Sequence, residues 1–300
     1  MPELPEVETV VRQLEPEVEG HRIERLEVLD ERWSRPVPPG QLGDAVAGAT
    51  IEHLGRRGKY ILMGLDGGRT LVMHLRMTGN LILREGEEIL DPSEGRRLYE
   101  SERSTEERHL RARFVLDDAR ELWFTDPRRF GEAFLIEDDE HLAERFAKLG
   151  VEPFSPEFTP RALGEMAVGR TAPLKSFLLD QAKIAGVGNI YADEALFRAG
   201  LHPLSSAGSM KPEHLEALRD AVVAALEAGI DAGGSSIDDY RDARGEKGSM
   251  QEEFLVHTRE GKDCPRCDGT IVRVVVGGRS TYFCPGCQVK LRRRPRRRAK

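Results

Sequence analysis

The 300-residue sequence contains no apolar run close to the roughly 20 residues that a membrane-spanning helix needs. Its first residues are rich in Glu, whereas a secretory signal peptide begins with basic residues and continues with an apolar stretch. No internal repeat is visible, and cysteine is scarce, with four in the whole chain. These absences argue against secretion, membrane insertion and a repeat architecture, so we expect a cytoplasmic protein.

The composition, 39% hydrophobic and 32% charged, is that of an ordinary globular protein, and the length suggests two domains. The net charge of −7 conceals an asymmetry. Residues 264–300 carry eleven Lys or Arg and one acid, and residues 1–263 carry 34 bases and 51 acids. A basic end indicates contact with a polyanion. If that polyanion is DNA, the basic groups of the acidic body must be focused on one face.

The first half of the chain has the pattern of an antiparallel β-domain that opens with a helix at 2–15. Short alternating segments with turn signals between them predict strands near 21–30, 50–54, 59–65, 69–75, 80–83, 113–116, 121–124 and 134–136. The Pro- and Gly-rich residues 33–48 are predicted to be loop, and the highly charged residues 84–107 a solvated insertion. The pattern predicts a sandwich or barrel.

The second half is helical, with helices predicted at 138–149, 160–168, 173–184, 190–199 and 211–232. We therefore predict an α+β fold made of an N-terminal antiparallel β-sandwich with an opening helix and a helical domain that ends in a metal-bound β-hairpin. The predicted boundaries are 1–149 for the sandwich, 150–160 for a linker, 161–250 for the helical domain, 251–290 for the hairpin and 291–300 for a basic tail.

All four cysteines lie in two CxxC pairs, Cys264 with Cys267 and Cys284 with Cys287, separated by sixteen residues. Four thiolates at this spacing predict one structural Zn²⁺ in a closed tetrahedral site. Two disulfides are the alternative, which a cytosolic chain disfavours. Alternating residues on both sides of Gly277-Gly278 predict a hairpin with Arg279 just past its turn.

Three further stretches carry groups suited to nucleic acid. The turn 186–189 (GVGN) precedes a helix for which Asn189 is a suitable N-cap, so the segment is either a phosphate-binding turn or an ordinary helical hairpin. The stretch 124–131 (FTDPRRFG) places Arg128 and Arg129 beside Phe130, and 74–79 (HLRMTG) offers Met77 as an apolar insert. Taken singly, each residue is better explained by the ordinary alternative, with Phe and Met as core residues and Arg as a solvated charge.

The chain begins Met-Pro-Glu-Leu-Pro-Glu. Removal of Met1 is expected, and it would leave Pro2 with a secondary amine whose ordinary pKa is roughly 7.7–8.0, far below that of Lys. The positive end of the following helix dipole disfavours protonation of this amine, and a neutral amine forms a Schiff base with a carbonyl carbon such as a sugar C1′. The alternative is a frayed terminus with solvated acids.

Together, PELPEVET, RRGKY, HLRMTG, DPRRFG, GVGNIYADEALF, GGSS and the terminal CxxC pairs occur in the order found in one family. The chain resembles the bacterial formamidopyrimidine-DNA glycosylases, which have endonuclease VIII-like siblings. The resemblance covers nearly the whole chain and implies a helix–two-turn–helix domain and a zinc finger. It also implies a bifunctional DNA glycosylase/AP lyase that flips out and excises 8-oxoguanine and formamidopyrimidines and then cleaves the strand by β,δ-elimination.

The resemblance implies roles for individual residues. Pro2 would be the Schiff-base nucleophile, Glu3 the acid that assists opening of the sugar ring, Glu6 a second acid, and Lys59 a phosphate contact that assists elimination. The residues that fill the gap left by the flipped base would be Met77, Arg128 and Phe130, with Arg128 reading the orphaned cytosine. Phosphate contacts would come from His109, Lys175, Asn189 and Arg279.

The sequence also departs from the family pattern. Arg76 stands where the family usually has Gly in HLGMSG. The loop over the flipped base, expected at 235–249, runs into the stretch 242–250, which reads DARGEKGSM where SDGKPGYF is commoner. The expected partner is duplex DNA with oxidised bases or abasic sites, bound by a monomer. The alternatives are an endonuclease VIII-like glycosylase for oxidised pyrimidines and a non-catalytic zinc protein that binds damaged DNA.

Overall fold

The computed structural model describes residues 1–84, 107–237 and 239–291. The predicted insertion at 84–107 and the predicted basic tail lie almost wholly outside this range. The described residues of Met1–Ala147 and Gly233–Ser249 form one compact unit, and those of Lys148–Ala232 and from Met250 onward form a second. The finer domain boundaries given above remain predictions. In the part of the chain described, no helix is long and apolar enough to cross a membrane.

The first unit opens with helix α1 (Leu4–Val18). Its apolar residues recur at helical spacing, and Val7, Val10, Val11 and Leu14 are all buried, as predicted. They belong to one apolar cluster with side chains from both sheets of the unit. The helix begins at Leu4, so Pro5 occupies its first turn, where the missing N–H of proline is not needed.

Eight strands of this unit form two antiparallel four-stranded sheets, ordered β1-β6-β7-β5 and β2-β3-β4-β8. The turn at Asp66–Gly68 joins β3 to β4, and Gly67 and Gly68 adopt positive φ angles of 73° and 77° that suit glycine. A short helix, α3 (Asp139–Phe146), follows the last strand. The sandwich is confirmed, with strands β1 (Ile23–Val28), β2 (Ile51–Arg57), β3 (Tyr60–Leu65), β4 (Arg69–His74), β5 (Asn80–Arg84), β6 (Leu110–Leu116), β7 (Glu121–Thr125) and β8 (Glu132–Ile136).

The prediction of loop throughout 33–48 is wrong, because helix α2 spans Pro39–Val46. Its glycine content suggested a loop, but Gly43 is needed for packing. A Cβ on Gly43 would lie 2.7 Å from the carbonyl oxygen of Leu26, so the helix approaches β1 at backbone distance. Leu42 and Val46 are buried one turn apart.

Among its described residues, the second unit contains four α-helices and a hairpin: α4 (Pro160–Ala167), α5 (Leu174–Leu179), α6 (Asn189–Arg198), α7 (Pro212–Asp231), β9 (Val272–Val276) and β10 (Arg279–Phe283). The helix predicted at 173–184 ends five residues early, at Leu179. Beyond it, the Gln181 side chain donates to Val187 O at 2.7 Å and accepts from Gly186 N–H at 2.9 Å, which folds the chain into a turn. Gly188, not Asn189, is the N-cap of α6.

Candidate active site and nucleic-acid interface

The N-terminus of α1 is the candidate catalytic centre of the first unit. Pro2, Glu3 and Glu6 are all buried there, while Met1 is 43% exposed. The backbone N–H of Glu3 donates to Glu6 Oε2 at 2.8 Å. This contact closes the first helical turn and gives the residue after Pro2 a defined position.

Glu6 also anchors the segment 233–249, which contains the predicted loop over the base. The backbone N–H of Ser235 donates to Glu6 Oε1 at 2.7 Å, and the hydroxyl of Tyr240 donates to the backbone oxygen of Glu6 at 3.2 Å. Gly234 has φ of +84°, and a Cβ there would lie 2.9 Å from Glu6 Cγ. Burial raises the pKa of Tyr240 well above its usual value, so its hydroxyl stays neutral and able to donate. Glu6 therefore joins the N-terminus of α1 to this segment.

Lys59, which is buried, lies with Gly58 in the two-residue turn between β2 and β3. Arg56 connects this turn to α1, because its Nε donates to Glu8 at 2.8 Å and one of its amino groups donates to Gly58 O at 3.0 Å. Burial alone would raise the pKa of Glu8, but the hydrogen bonds from Arg56 and Arg12 outweigh it and hold the pKa low. The Arg56–Glu8 pair thus fixes the Lys59 turn on α1, the helix that follows Pro2.

His74, at the end of β4, was not among the predicted site residues. Burial, followed by the charges of Arg76 and Lys59, lowers its pKa to about 3. Its Nδ1 accepts the backbone N–H of Arg76 at 2.9 Å. His74 is therefore neutral at neutral pH and holds the start of the Met77 turn. Arg76 occupies the position where the resembled family usually has Gly, and its φ of +54° shows why glycine suits it.

The three residues predicted to fill the gap lie on two exposed loops of the first unit. Met77 is 38% exposed and Phe130 is 53% exposed. The guanidinium of Arg128 lies over the Phe130 ring at 5.0 Å. Both loops contact the buried carboxylate of Asp126, which was not among the predicted site residues.

The two adjacent arginines of the DPRRFG motif differ in their surroundings. Arg129 adopts φ of +61° and pairs through two nitrogens with Asp30, which is buried. The hydrogen bond from Arg129 holds the pKa of Asp30 below its ordinary value. Arg129 is thus engaged within the fold, and Arg128 presents its charge with Phe130 at the surface.

In the second unit, Asn189 and Arg279 are brought close together. Asn189 begins α6, and its Nδ2 donates to the backbone oxygen of Ser280 at 3.1 Å, one residue after Arg279. Arg279 is exposed and follows the Gly277-Gly278 turn, where both glycines have positive φ. A helix N-terminus beside an exposed guanidinium suits a phosphate group.

Lys175, another of the predicted phosphate contacts, is buried. Its side chain has no exposed surface, and its Nζ donates to Asp193 Oδ1 at 2.5 Å and to Asn189 O at 2.8 Å. The second oxygen of Asp193 bonds to His257 Nδ1 at 2.9 Å. The ammonium thus has partners within the fold and supports the turn that carries Asn189. The phosphate contact implied for Lys175 stays a prediction.

The four cysteine sulfurs all lie within 4.8 Å of one another. Cys264 Sγ is 3.7 Å from Cys287 Sγ, and Cys267 Sγ is 3.6 Å from Cys284 Sγ. A tetrahedral zinc with bonds of about 2.3 Å places its sulfurs roughly 3.8 Å apart, so the set fits Zn²⁺. A disulfide needs about 2.05 Å, so the alternative of two disulfides is wrong.

The surroundings of the sulfurs also fit a metal. Backbone N–H groups of Arg266 and Gly269 donate to Cys264 and Cys267 at 3.4 Å, which favours thiolates. A Cβ on Gly269 would lie 3.2 Å from Cys267 Sγ, so the chain wraps closely around the site. One structural zinc ion is thus confirmed as the cofactor, held by Cys264, Cys267, Cys284 and Cys287.

The finger is mounted firmly on α6. Arg266 donates to Phe197 O at 2.9 Å and lies over the Phe197 ring at 4.5 Å. Gln288 accepts the Cys284 N–H at 2.8 Å and donates to Leu201 O at 2.9 Å. The metal site therefore sets the position of the hairpin that carries Arg279.

Comparison with known proteins agrees with this geometry. The formamidopyrimidine-DNA glycosylase N-terminal domain matches residues 1–133, and the H2TH domain of the same enzymes matches residues 149–241. A zinc finger found in FPG and IleRS matches residues 261–289. The formamidopyrimidine-DNA glycosylase of Chloroflexus aurantiacus is 44% identical over 293 residues, which cover 97% of this chain and 99% of that protein. That of Heliobacterium modesticaldum is 44% identical over 289 residues, covering 96% and 100%.

Solved structures give the same answer. A Lactococcus lactis FPG mutant in complex with Fapy-dG containing DNA is 34% identical with a TM-score of 0.83, covering 96% of this chain and 100% of that one. The wild-type Lactococcus lactis enzyme in complex with DNA containing an oxidized pyrimidine is 33% identical with a TM-score of 0.82 and the same coverage. From its capped N-terminal Pro-Glu helix to its four-cysteine finger, this chain belongs to the formamidopyrimidine-DNA glycosylase family.

Proposed function

We propose that this chain is a bifunctional DNA glycosylase/AP lyase that excises oxidised purines, 8-oxoguanine and formamidopyrimidines, from duplex DNA. The observation that carries the proposal is the N-terminus of α1. There Pro2 and Glu3 are buried on a capped first turn, in a chain that aligns with the family over its full length. Met1 is exposed, so its removal would release a nitrogen that the fold already positions.

The chemistry follows from a neutral secondary amine. The Pro2 nitrogen donates its lone pair to C1′, the glycosidic bond breaks, and the base leaves with the bonding pair and takes up a proton. The amine loses its own proton, and Glu3 protonates O4′ as the nitrogen forms the cationic iminium that opens the sugar ring. Glu6, with both oxygens accepting backbone N–H groups, acts by holding Glu3 and the 233–249 segment in place.

The iminium then acts as an electron sink. Loss of a proton from C2′ breaks the C3′–O bond, loss of a proton from C4′ breaks the C5′–O bond, and water finally releases the sugar fragment from Pro2. Lys59 holds a phosphate beside the lesion and assists these eliminations. Its turn is fixed on α1 by Arg56, so the phosphate contact and the nucleophile share one rigid support.

Attack at C1′ requires the nucleotide to leave the stack, which costs a few kcal/mol. Met77, Arg128 and Phe130 offset part of that cost by filling the gap, with Arg128 facing the orphaned cytosine. Asn189, Arg279 and His109 hold phosphates around the lesion, and the structural zinc supports Arg279 through the finger. The partner is duplex DNA with oxidised bases or abasic sites, bound by a monomer associated with the nucleoid.

Borohydride trapping on abasic DNA tests the proposal. The mature protein should form a covalent adduct, and Pro2→Ala should abolish or severely reduce it while leaving DNA affinity largely intact. Pro5→Ala, which alters the neighbouring proline of the same helix, is the matched control and should still be trapped. A mature protein that retains Met1 yet cleaves abasic DNA at the full rate would refute the role of Pro2.

A second substrate class follows from one observation, since a solved relative is bound to DNA that contains an oxidized pyrimidine. Excision of 8-oxoguanine opposite cytosine and of thymine glycol opposite adenine should be compared at equal enzyme concentration. Faster release of 8-oxoguanine supports the purine assignment, and faster release of thymine glycol replaces it. Specific binding of damaged DNA without any adduct would identify the non-catalytic alternative.

A further inference from the structure

We infer that Asp126 is a positioning residue that joins the Met77 turn and the Arg128–Phe130 loop into a single wedge. The inference rests on the proposed function, since it concerns how the base is displaced. Asp126 has no exposed surface, and its carboxylate receives hydrogen bonds from both loops. It therefore acts on DNA through the residues around it and not by contact.

The first set of contacts shapes the Arg128–Phe130 loop. The backbone N–H groups of Phe130 and Gly131 each donate to Asp126 Oδ2 at 2.7 Å, and that of Arg128 donates to Oδ1 at 3.1 Å. A Cβ on Gly131 would lie 2.6 Å from the Phe124 ring and 3.2 Å from Asp126 Oδ2. Three backbone N–H groups of the loop that carries the exposed Phe130 ring thus donate to one carboxylate.

The second set of contacts reaches the other loop. The hydroxyl of Thr78, the residue after Met77, donates to Asp126 Oδ1, and its oxygen accepts the N–H of Arg128 at 3.3 Å. Thr78 is itself buried. One hydroxyl therefore bridges the two loops, and neither can shift without breaking a hydrogen bond to a buried charge.

The backbone of Asp126 extends the connection to His109, the predicted phosphate contact of this unit. Its N–H donates to His109 O at 2.8 Å, and its carbonyl oxygen accepts from Arg111 Nε at 2.8 Å. Asp126 is thus hydrogen-bonded to the backbone of His109, Arg128 and Phe130, which are expected to contact a phosphate, the orphaned base and the gap in the base stack.

A shared support matters because the wedge must displace a stacked base, and a loosely held side chain would lose entropy on insertion. Hydrogen bonds to a buried charged group are among the stronger ones in proteins, so four donors on one carboxylate give a stiff connection. Loss of hydrogen bonds to Asp126 should therefore slow the flipping of the damaged base out of duplex DNA. It should not slow cleavage of single-stranded abasic DNA, in which no base has to be flipped.

The test compares Thr78→Val, which removes the bridging hydroxyl at constant shape, with Thr78→Ser, which keeps it. Thr70→Val, at an equally buried threonine on β4, is the matched control. Each protein is assayed for kcat/KM on duplex 8-oxoguanine and for strand cleavage of single-stranded abasic DNA. Fluorescence of 2-aminopurine beside the lesion follows eversion. Asp126→Asn serves as a second variant, with its fold checked by circular dichroism.

We expect Thr78→Val and Asp126→Asn to lose about 10- to 100-fold in duplex excision with a matching loss of eversion rate, and to cleave single-stranded abasic DNA within about twofold of the parent. Thr78→Ser should recover most of the loss. Equal losses on both substrates, or full duplex activity in Thr78→Val, would overturn the inference. A parent protein that neither excises the lesion nor forms a borohydride adduct would refute the proposed function instead.

Discussion

Replacement of Lys175 by Met separates two roles for this lysine. The resemblance implies a phosphate contact, whereas the structure places its ammonium between Asp193 Oδ1 at 2.5 Å and Asn189 O at 2.8 Å with no exposed surface. Met is similar in length and apolar, so the variant removes the charge with little change of volume. In this variant the buried Asp193 carboxylate keeps its hydrogen bond with His257 Nδ1 but loses the one from the ammonium.

Removal of one partner of a buried ion pair destabilises proteins by about 3–5 kcal/mol, because the other charge stays buried without compensation. The bond from His257 to Asp193 keeps our expectation at the lower end, near 3 kcal/mol. For a unit of this size that loss lowers the Tm by roughly 6–12 °C. Loss of the bond to Asn189 O should also loosen the turn and weaken DNA binding through Asn189.

Urea unfolding and the salt dependence of DNA affinity should be measured for Lys175→Met. The matched control is Lys183→Met, because Lys183 pairs with Asp180 at a partly exposed site and such pairs contribute less than about 1 kcal/mol. In the double variant Lys175→Met with Asp193→Asn, part of the lost stability should return, since the uncompensated charge is gone. Lys175→Met combined with Asn189→Ala should bind DNA no worse than Asn189→Ala alone.

The opposite pattern would refute this reasoning. If Lys175 contacts phosphate directly, Lys175→Met should leave the free energy of unfolding within about 0.5 kcal/mol of the parent, as surface substitutions do. The slope of log K against log salt should then fall in magnitude by about 0.9, and the loss should add to that of Asn189→Ala.

Three other expectations follow. His74 has a pKa of about 3 in the fold, against an ordinary value of about 6.5 for an unfolded histidine. Between these values the unfolded state binds more protons, so the free energy of unfolding should fall by on the order of 3 kcal/mol as the pH falls from 7 to 4. His74→Gln should flatten this dependence in urea titrations. Removing zinc with a chelator should weaken DNA binding more than borohydride trapping on single-stranded abasic DNA, as gel shifts and trapping yields would show. Arg279→Ala should reduce the salt slope of DNA binding by about 0.9, and Arg273→Ala, on the neighbouring strand, should not.

Much of the fold could be predicted because its signals are local. Apolar residues at helical spacing identified α1, and alternation with a Gly-Gly turn identified β3 and β4. The zinc site was predictable for the same reason, since each CxxC pair places its own two ligands. Prediction failed at α2, where Gly43 serves a close approach to β1 that local composition does not reveal.

The candidate site divides in the same way. Pro2, Met77, Phe130 and Arg279 could be found from motifs. Pro2 lies in the buried N-terminal cluster, Met77 and Phe130 lie on exposed loops, and Arg279 is exposed just past the hairpin turn. The interior position of Lys175 was not predictable. Its partner Asp193 is eighteen residues away, beyond the range over which spacing alone carries information.

By itself, then, the sequence determined which residue types were present for the chemistry: a proline amine, acids beside it, four thiolates at metal spacing and arginines next to an aromatic ring. Only the tertiary structure decided how each is used. It engaged Arg129 with Asp30 and left Arg128 on Phe130, turned Glu6 into an anchor, and buried Asp126 between two loops. The physical reason is that burial and hydrogen-bond partners depend on contacts between distant segments, which short-range periodicity does not record.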